Sequence, residues 1–163
     1  MTPEAQNLLE IGVGNEYRGD DGAGIVASRR LRGQLPAQIG VLEQSGEGAA
    51  LMQAWLGAAW VVVIDAARSG AAPGTLHRLD ARAGKIPSGF FHYSTHAFSV
   101  AEAVELARTL GQLPPHLILY GIEGRSFRQG IGLSAEVNAA VDEAVARVAE
   151  EVSAASWALG SCS

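Results

Sequence analysis

Three side chains of this chain could act together: Asp21, Asp65 and His96. Each falls where a buried strand gives way to a loop or to the start of a helix. In an open α/β sheet such positions converge on the carboxyl edge, where ligands bind. Two carboxylates and an imidazole suit a borderline divalent cation, and nickel, zinc and cobalt all accept that donor set. Three protein ligands with one position left open is the arrangement of a catalytic or recognition site, not of a closed structural one. The chemistry this offers is hydrolysis, with the cation polarising a carbonyl or acidifying a bound water. Recognition of a metal without any reaction is the alternative.

The three residues carry different weight. Asp65 directly follows Trp60-Val61-Val62-Val63-Ile64, a continuous apolar run without alternation. Such a run is expected of a strand buried on both faces of a parallel sheet. Asp21 belongs to a pair, Asp20-Asp21, at the head of a helical segment. An acid there is also stabilised by the helix macrodipole, so one of the two can be a cap while the other points into a cleft. His96 follows Ser94-Thr95 and precedes a capped helix, unlike the other histidines. Of these, His77 lies mid-strand, His92 in a loop and His116 beside Pro114-Pro115.

Other chemistries fit less well. Gly12-Val13-Gly14 resembles the opening of a dinucleotide fingerprint, but its third glycine would fall on Tyr17. Asp20 and Asp21 would also repel a pyrophosphate, and only Glu43 stands near the place of a ribose-binding acid. There is no HExxH helix, no cysteine cluster and no Gly-x-Ser-x-Gly elbow.

These residues need a scaffold, and the chain supplies one. It has 163 residues, 48% hydrophobic and 18% charged, enough to bury a full core as a single domain over residues 1–152. Net charge is −5 and basic residues cluster no further than Arg29-Arg30, which argues against a nucleic-acid partner. No apolar run is long enough to span a bilayer, and no signal-peptide pattern opens the chain. Cys162 stands alone, which fits a reducing cytoplasm.

The pattern predicts strands over Leu8–Val13, Ile39–Glu43, Trp60–Ile64, Thr75–Asp80 and Leu117–Ile122. Helices are expected over Ile25–Leu35, with Asp20 or Asp21 as N-cap, over Ala49–Leu56, and from Val100 to Leu110. Ser99 and Glu102 have capping-box spacing, and Gly111 ends that helix. A last helix spans Val137–Val152, and Ser153–Ser163 reads as a flexible tail. Thr75–Asp80 alternates and follows Asp65 too closely for a helical crossover, so it is expected near an edge and antiparallel. Alternating strands and helices argue a three-layer α/β/α sandwich.

Taken in order, Gly12-Val13-Gly14-Asn15, Asp20-Asp21-Gly22-Ala23-Gly24, Val63-Ile64-Asp65-Ala66 and Ser94-Thr95-His96 resemble the nickel–iron hydrogenase maturation endopeptidases. Tyr120-Gly121-Ile122 and Gly130-Ile131-Gly132-Leu133-Ser134 continue the match, which covers about residues 8–150. The resemblance implies a mixed, mostly parallel five-stranded sheet. It implies an endopeptidase that removes a C-terminal extension from the large-subunit precursor of a nickel–iron hydrogenase after nickel insertion. It places the nickel-recognising acids on Asp21 and Asp65 and the histidine on His96. The nickel then comes with the precursor, and no permanent cofactor is expected. Many members carry glutamate at the first position, and an Asp-Gly-Gly-Thr-like loop where this chain has Glu43-Gln44-Ser45-Gly46-Glu47-Gly48. That loop is expected to bear on substrate choice, with Gly46 and Gly48 keeping it flexible. Two other readings stay open: a nickel checkpoint that binds the large subunit without cutting it, and a peptidyl-tRNA hydrolase-like enzyme. The latter calls for a basic RNA-binding face and a histidine closer to the first turn.

Overall fold

A computed structural model describes residues 7–87, 89–91 and 98–160. The elements run β1 (Leu8–Val13), a 3-10 turn (Gly19–Gly22), α1 (Ala23–Leu31), β2 (Gly40–Gln44), α2 (Gly48–Trp55) and β3 (Trp60–Ala67). They continue with β4 (Leu76–Asp80), α3 (Val100–Thr109), β5 (His116–Glu123) and α4 (Ala135–Gly160). The five strands form one sheet in the order β2-β1-β3-β5-β4. All neighbours are parallel except β4, which pairs antiparallel with β5 at the edge. The expected mixed α/β/α sandwich is therefore present.

Side-chain alternation divides the core. Ile11, Val61, Val63, Leu117 and Leu119 pack on the side of α2 and α3. Val62, Ile64, Ile118, Tyr120 and Ile122 pack on the side of α1 and α4. Strand β3 is buried almost throughout, as its unbroken apolar run requires. The helix α3 begins with the capping box foreseen at Ser99 and Glu102.

Four expectations need correction. Strand β3 does not stop at Ile64, because its ladder with β5 continues through Asp65↔Gly121, Ala66↔Ile122 and Ala67↔Glu123. Helix α1 is shifted toward the N-terminus of the expected Ile25–Leu35 span, and the chain after it folds into a turn held by Gln34 N–H to Leu31 O at 2.8 Å. Its N-cap is Gly22, with no side-chain cap, so neither Asp20 nor Asp21 caps it. Helix α4 does not end at Val152. It runs on to Gly160 with Ala155 buried in the second core, so part of the expected tail is a packed helix. Cys162 lies outside the described residues.

Candidate functional site

The site is built at the carboxyl end of β1 and β3. The chain leaves β1 at Gly14, whose φ of +147° suits glycine. A Cβ at Gly14 would stand 1.9 Å from the Asp21 carbonyl oxygen, so only glycine lets the turn fold back on Asp21. Asn15 N–H then reaches the Asp21 carboxylate at 3.1 Å. Helix α1 comes equally close to the sheet. A Cβ on Gly24 would lie 2.2 Å from Ile64 O, immediately before Asp65 in β3. The glycines of the first turn thus bring the Asp21 segment against β3.

Asp21 and Asp65 are 6% and 5% exposed. Burial raises the pKa of Asp21, against the pull of the Asn15 N–H and the charge of Arg18. Asp65 is held well above the usual carboxylate range, first by burial and then by the negative charge of Asp21. The Ala66 N–H, 2.7 Å from Asp65 Oδ1, offsets only part of this. The two acids are therefore close enough to feel each other's charge. A cation between them would remove both the repulsion and much of the desolvation cost.

Asp21 opens on a cleft of about 1050 Å³, shared with Asn15, Tyr17, Arg68 and Phe127. Asp65 is not among the residues that line it. Ser94, Thr95 and His96 lie outside the described residues, as does His92. The remaining histidines are engaged elsewhere. His77 Nε2 is 3.2 Å from Glu123, and the His116 ring stacks on Trp60 at 4.0 Å.

Asp20 and Asp21 divide their work. Asp20 turns away from the cleft and ties the first turn to the segment between β5 and α4. Its carboxylate accepts from the N–H groups of Arg125 (2.8 Å), Ser126 (3.0 Å) and Ser134 (2.8 Å), and from Ser134 Oγ (3.0 Å). Replacing Asp20 with alanine leaves these donors without their acceptor and should lower stability by about 3 kcal/mol. In hydrogen exchange the Arg125, Ser126 and Ser134 amides should lose protection before those of β3. Unchanged protection at all three amides would contradict the clamp.

Glu43 has no role toward a ribose. It bridges Arg29 at 3.1 Å and Arg32 at 2.6 Å, while Arg29 also holds Glu16 at 2.7 Å. Nor is Gly48 a flexible loop residue. It opens α2, and a Cβ there would meet the Phe98 ring at 2.4 Å. Glu47 caps the same helix by accepting from Ala49 N–H and Ala50 N–H.

Sequence reading missed the Asp20 clamp and the arginines of the cleft, Arg18, Arg68, Arg125 and Arg128. A signal for the last two was available: cations concentrated in the irregular segment that follows a buried strand.

The family model described as hydrogenase maturation protease (HycI) matches residues 26–151. The chain belongs to the hydrogenase maturation protease family. The matched span contains Asp65 and His96, whereas Asp21 precedes it. This maturation protease is 30% identical to the hydrogenase 2 maturation protease of Escherichia coli K12, over 86% of this chain and 87% of that one. It is 29% identical to the hydrogenase expression/formation protein HupM of Azotobacter chroococcum, over 90% of this chain and 71% of that one. The hydrogenase maturating endopeptidase HybD from E. coli superposes with a TM-score of 0.72 at 25% identity, covering 87% of this chain and 89% of that one. The family makes the protein a peptidase. Among the described residues of this maturation protease, no helix is long and apolar enough to cross a membrane.

Proposed function

We propose that this maturation protease removes the C-terminal extension of a nickel–iron hydrogenase large-subunit precursor once nickel is in place. Asp21, Asp65 and His96 recognise that nickel, which arrives as part of the substrate. The observation that carries this reading is the pair of buried carboxylates at the carboxyl edge, both with raised pKa values. Two acids so placed gain more from a divalent cation than either would at an exposed surface. The names of the relatives, one a hydrogenase 2 maturation protease and the other a hydrogenase expression/formation protein, support the choice of substrate.

The enzyme's part is placement. Its acids hold the precursor's cation, and the scissile peptide is thereby brought beside it. That cation would polarise the peptide carbonyl or lower the pKa of an attacking water, and a carboxylate not engaged with it would serve as general base. A precursor without nickel lacks the charge that the two acids attract, so nickel loading becomes the condition for cutting.

The test is incubation of the protein with purified large-subunit precursor, nickel-loaded or nickel-free, followed by mass measurement of the large subunit. Loss of a short C-terminal fragment from the loaded precursor alone is the expected result, and His96→Ala should abolish it. Equal cutting of both forms would remove nickel recognition from the reading. Stable association without any mass change would indicate a checkpoint that binds and does not cut.

A further inference from the structure

The cleft is acidic within and basic at its rim, although the chain as a whole carries a net charge of −5. Most arginines of the protein are matched. Arg29, Arg30, Arg32, Arg78, Arg108, Arg125 and Arg147 each make a salt bridge. Among the described residues Arg18, Arg68, Arg82 and Arg128 make none, and three of these four, Arg18, Arg68 and Arg128, line this cleft and are exposed. Surface arginines are often mobile, but the backbones carrying two of these are fixed. Arg18 forms a parallel bridge with Gly130, through Gly19 N–H to Gly130 O and Gly130 N–H to Tyr17 O, each at 2.8 Å. Asp20 anchors the Arg125–Ser134 segment from below. Arg68 rests over the Phe127 ring, 6.0 Å from its centroid, and a guanidinium lying on an aromatic face can still donate to a carboxylate from its edge. Tyr17 and Ile131 stand 60% and 78% exposed on the same bridged segments. Aromatic and apolar side chains beside arginines are the composition of a protein-binding surface.

We propose that Arg18, Arg68 and Arg128 form a carboxylate-binding rim that holds the segment to be cut off, through its acidic side chains and its terminal carboxylate. This deepens the peptidase reading above and rests on it. A guanidinium meets a carboxylate with two parallel hydrogen bonds, so three of them select for anionic peptide. One exposed pair contributes little, and the strength lies in three cations converging on one ligand. A chain terminus brings a free carboxylate whatever its sequence. The cleft, at about 1050 Å³, is large enough for several residues. Its polarity also fixes direction. The nickel-bearing part of the precursor is drawn to Asp21 and Asp65, and the anionic tail is repelled from them toward the arginines. The bond between these two parts is left over the acids.

A direct test is fluorescence anisotropy with the precursor's extension as a synthetic peptide, labelled at its amino end so that its terminal carboxylate is free. The full-length protein should bind this peptide at low salt and lose it as salt rises. The triple variant Arg18→Gln, Arg68→Gln, Arg128→Gln should bind at least about tenfold more weakly. The same peptide with every carboxylate amidated should lose a similar factor on the wild-type protein. Triple replacement by lysine should retain part of the affinity, which separates charge loss from misfolding. Arg82→Gln with Lys85→Gln, away from the cleft, should change nothing. Absence of binding to wild type, or equal binding by the glutamine variant or of the amidated peptide, overturns the rim. Because this readout needs no cutting, a protein that binds the peptide by its arginines yet leaves nickel-loaded precursor intact would refute the peptidase reading and leave the rim standing.

Discussion

Replacing Asp21 with asparagine should reduce processing of nickel-loaded precursor by roughly 10²–10⁴-fold, and Asp65→Asn should do the same. Neither change should weaken the fold. Asparagine nearly matches aspartate in shape, and its carbonyl oxygen can still accept from Asn15 N–H at position 21 or from Ala66 N–H at position 65. What disappears is a negative charge whose burial raises the pKa of each acid. Asp21→Asn also removes the neighbour that raises Asp65, so the Asp65 pKa should move down toward the usual range.

The sign of the stability effect follows from those directions. A carboxyl raised in the folded state contributes stability below its unfolded pKa and loses it as pH rises through its folded value. Each asparagine variant should therefore gain on wild type as pH rises from the ordinary aspartate range toward neutrality. Single-turnover processing and thermal melts over that pH range give both readouts. The double variant should process no more slowly than the worse single one, because acids that share one cation act as a unit. Processing at the wild-type rate by both single variants would leave the pair without a part in the reaction. A large drop in melting temperature would instead make the acids structural.

Much of this arrangement is legible in the sequence because it is local. The run Trp60–Ile64 announces a doubly buried strand. The spacing of Ser99 and Glu102 announces a helix start. The short connection after β3 announces the antiparallel strand β4 at the edge. What escaped is tertiary. Nothing in the dipeptide Asp20-Asp21 says that one acid turns toward Ser134, 114 positions away, while the other faces the cleft. The strand through Asp65 continues because β5 supplies a partner for it, which local pattern does not reveal. Helix α4 outlasts its valine stripe because small alanines also pack, and Ala155 is 2% exposed. Gly48 resembled a loop glycine, and only the Phe98 ring shows why no side chain fits there. The arginine rim is assembled from three separate segments, so no spacing encodes it.

The second large effect concerns Glu10, a charged residue in an otherwise apolar strand. It is 0% exposed, pairs across the sheet with Val41 and Val62, and points to the α1 side, where Ser28 Oγ lies 2.9 and 2.8 Å from its two oxygens. Gly12 makes room for this contact, since a Cβ there would come within 2.0 Å of Ser28 Oγ. Burial pushes the Glu10 pKa from 4.5 to about 8, and the Ser28 hydrogen bond and the charge of Arg32 only partly counter it. Stability carried by the protonated acid is thus complete below about 4.5 and declines with rising pH until about 8, where the folded protein ionises too. The total change is on the order of 5 kcal/mol. Glutamine at position 10 keeps an oxygen for Ser28 and an amide that Ser28 Oγ can accept from, but it does not titrate. Chemical denaturation at pH 5 and pH 8.5 should therefore show wild type losing several kcal/mol more than Glu10→Gln, about 1.4 for each pH unit in the declining range, since Asp21 and Asp65 contribute alike to both proteins. Parallel pH profiles for the two proteins would mean that Glu10 is ionised or solvated in the folded state, and that its contact with Ser28 is not the enclosed one seen beneath α1.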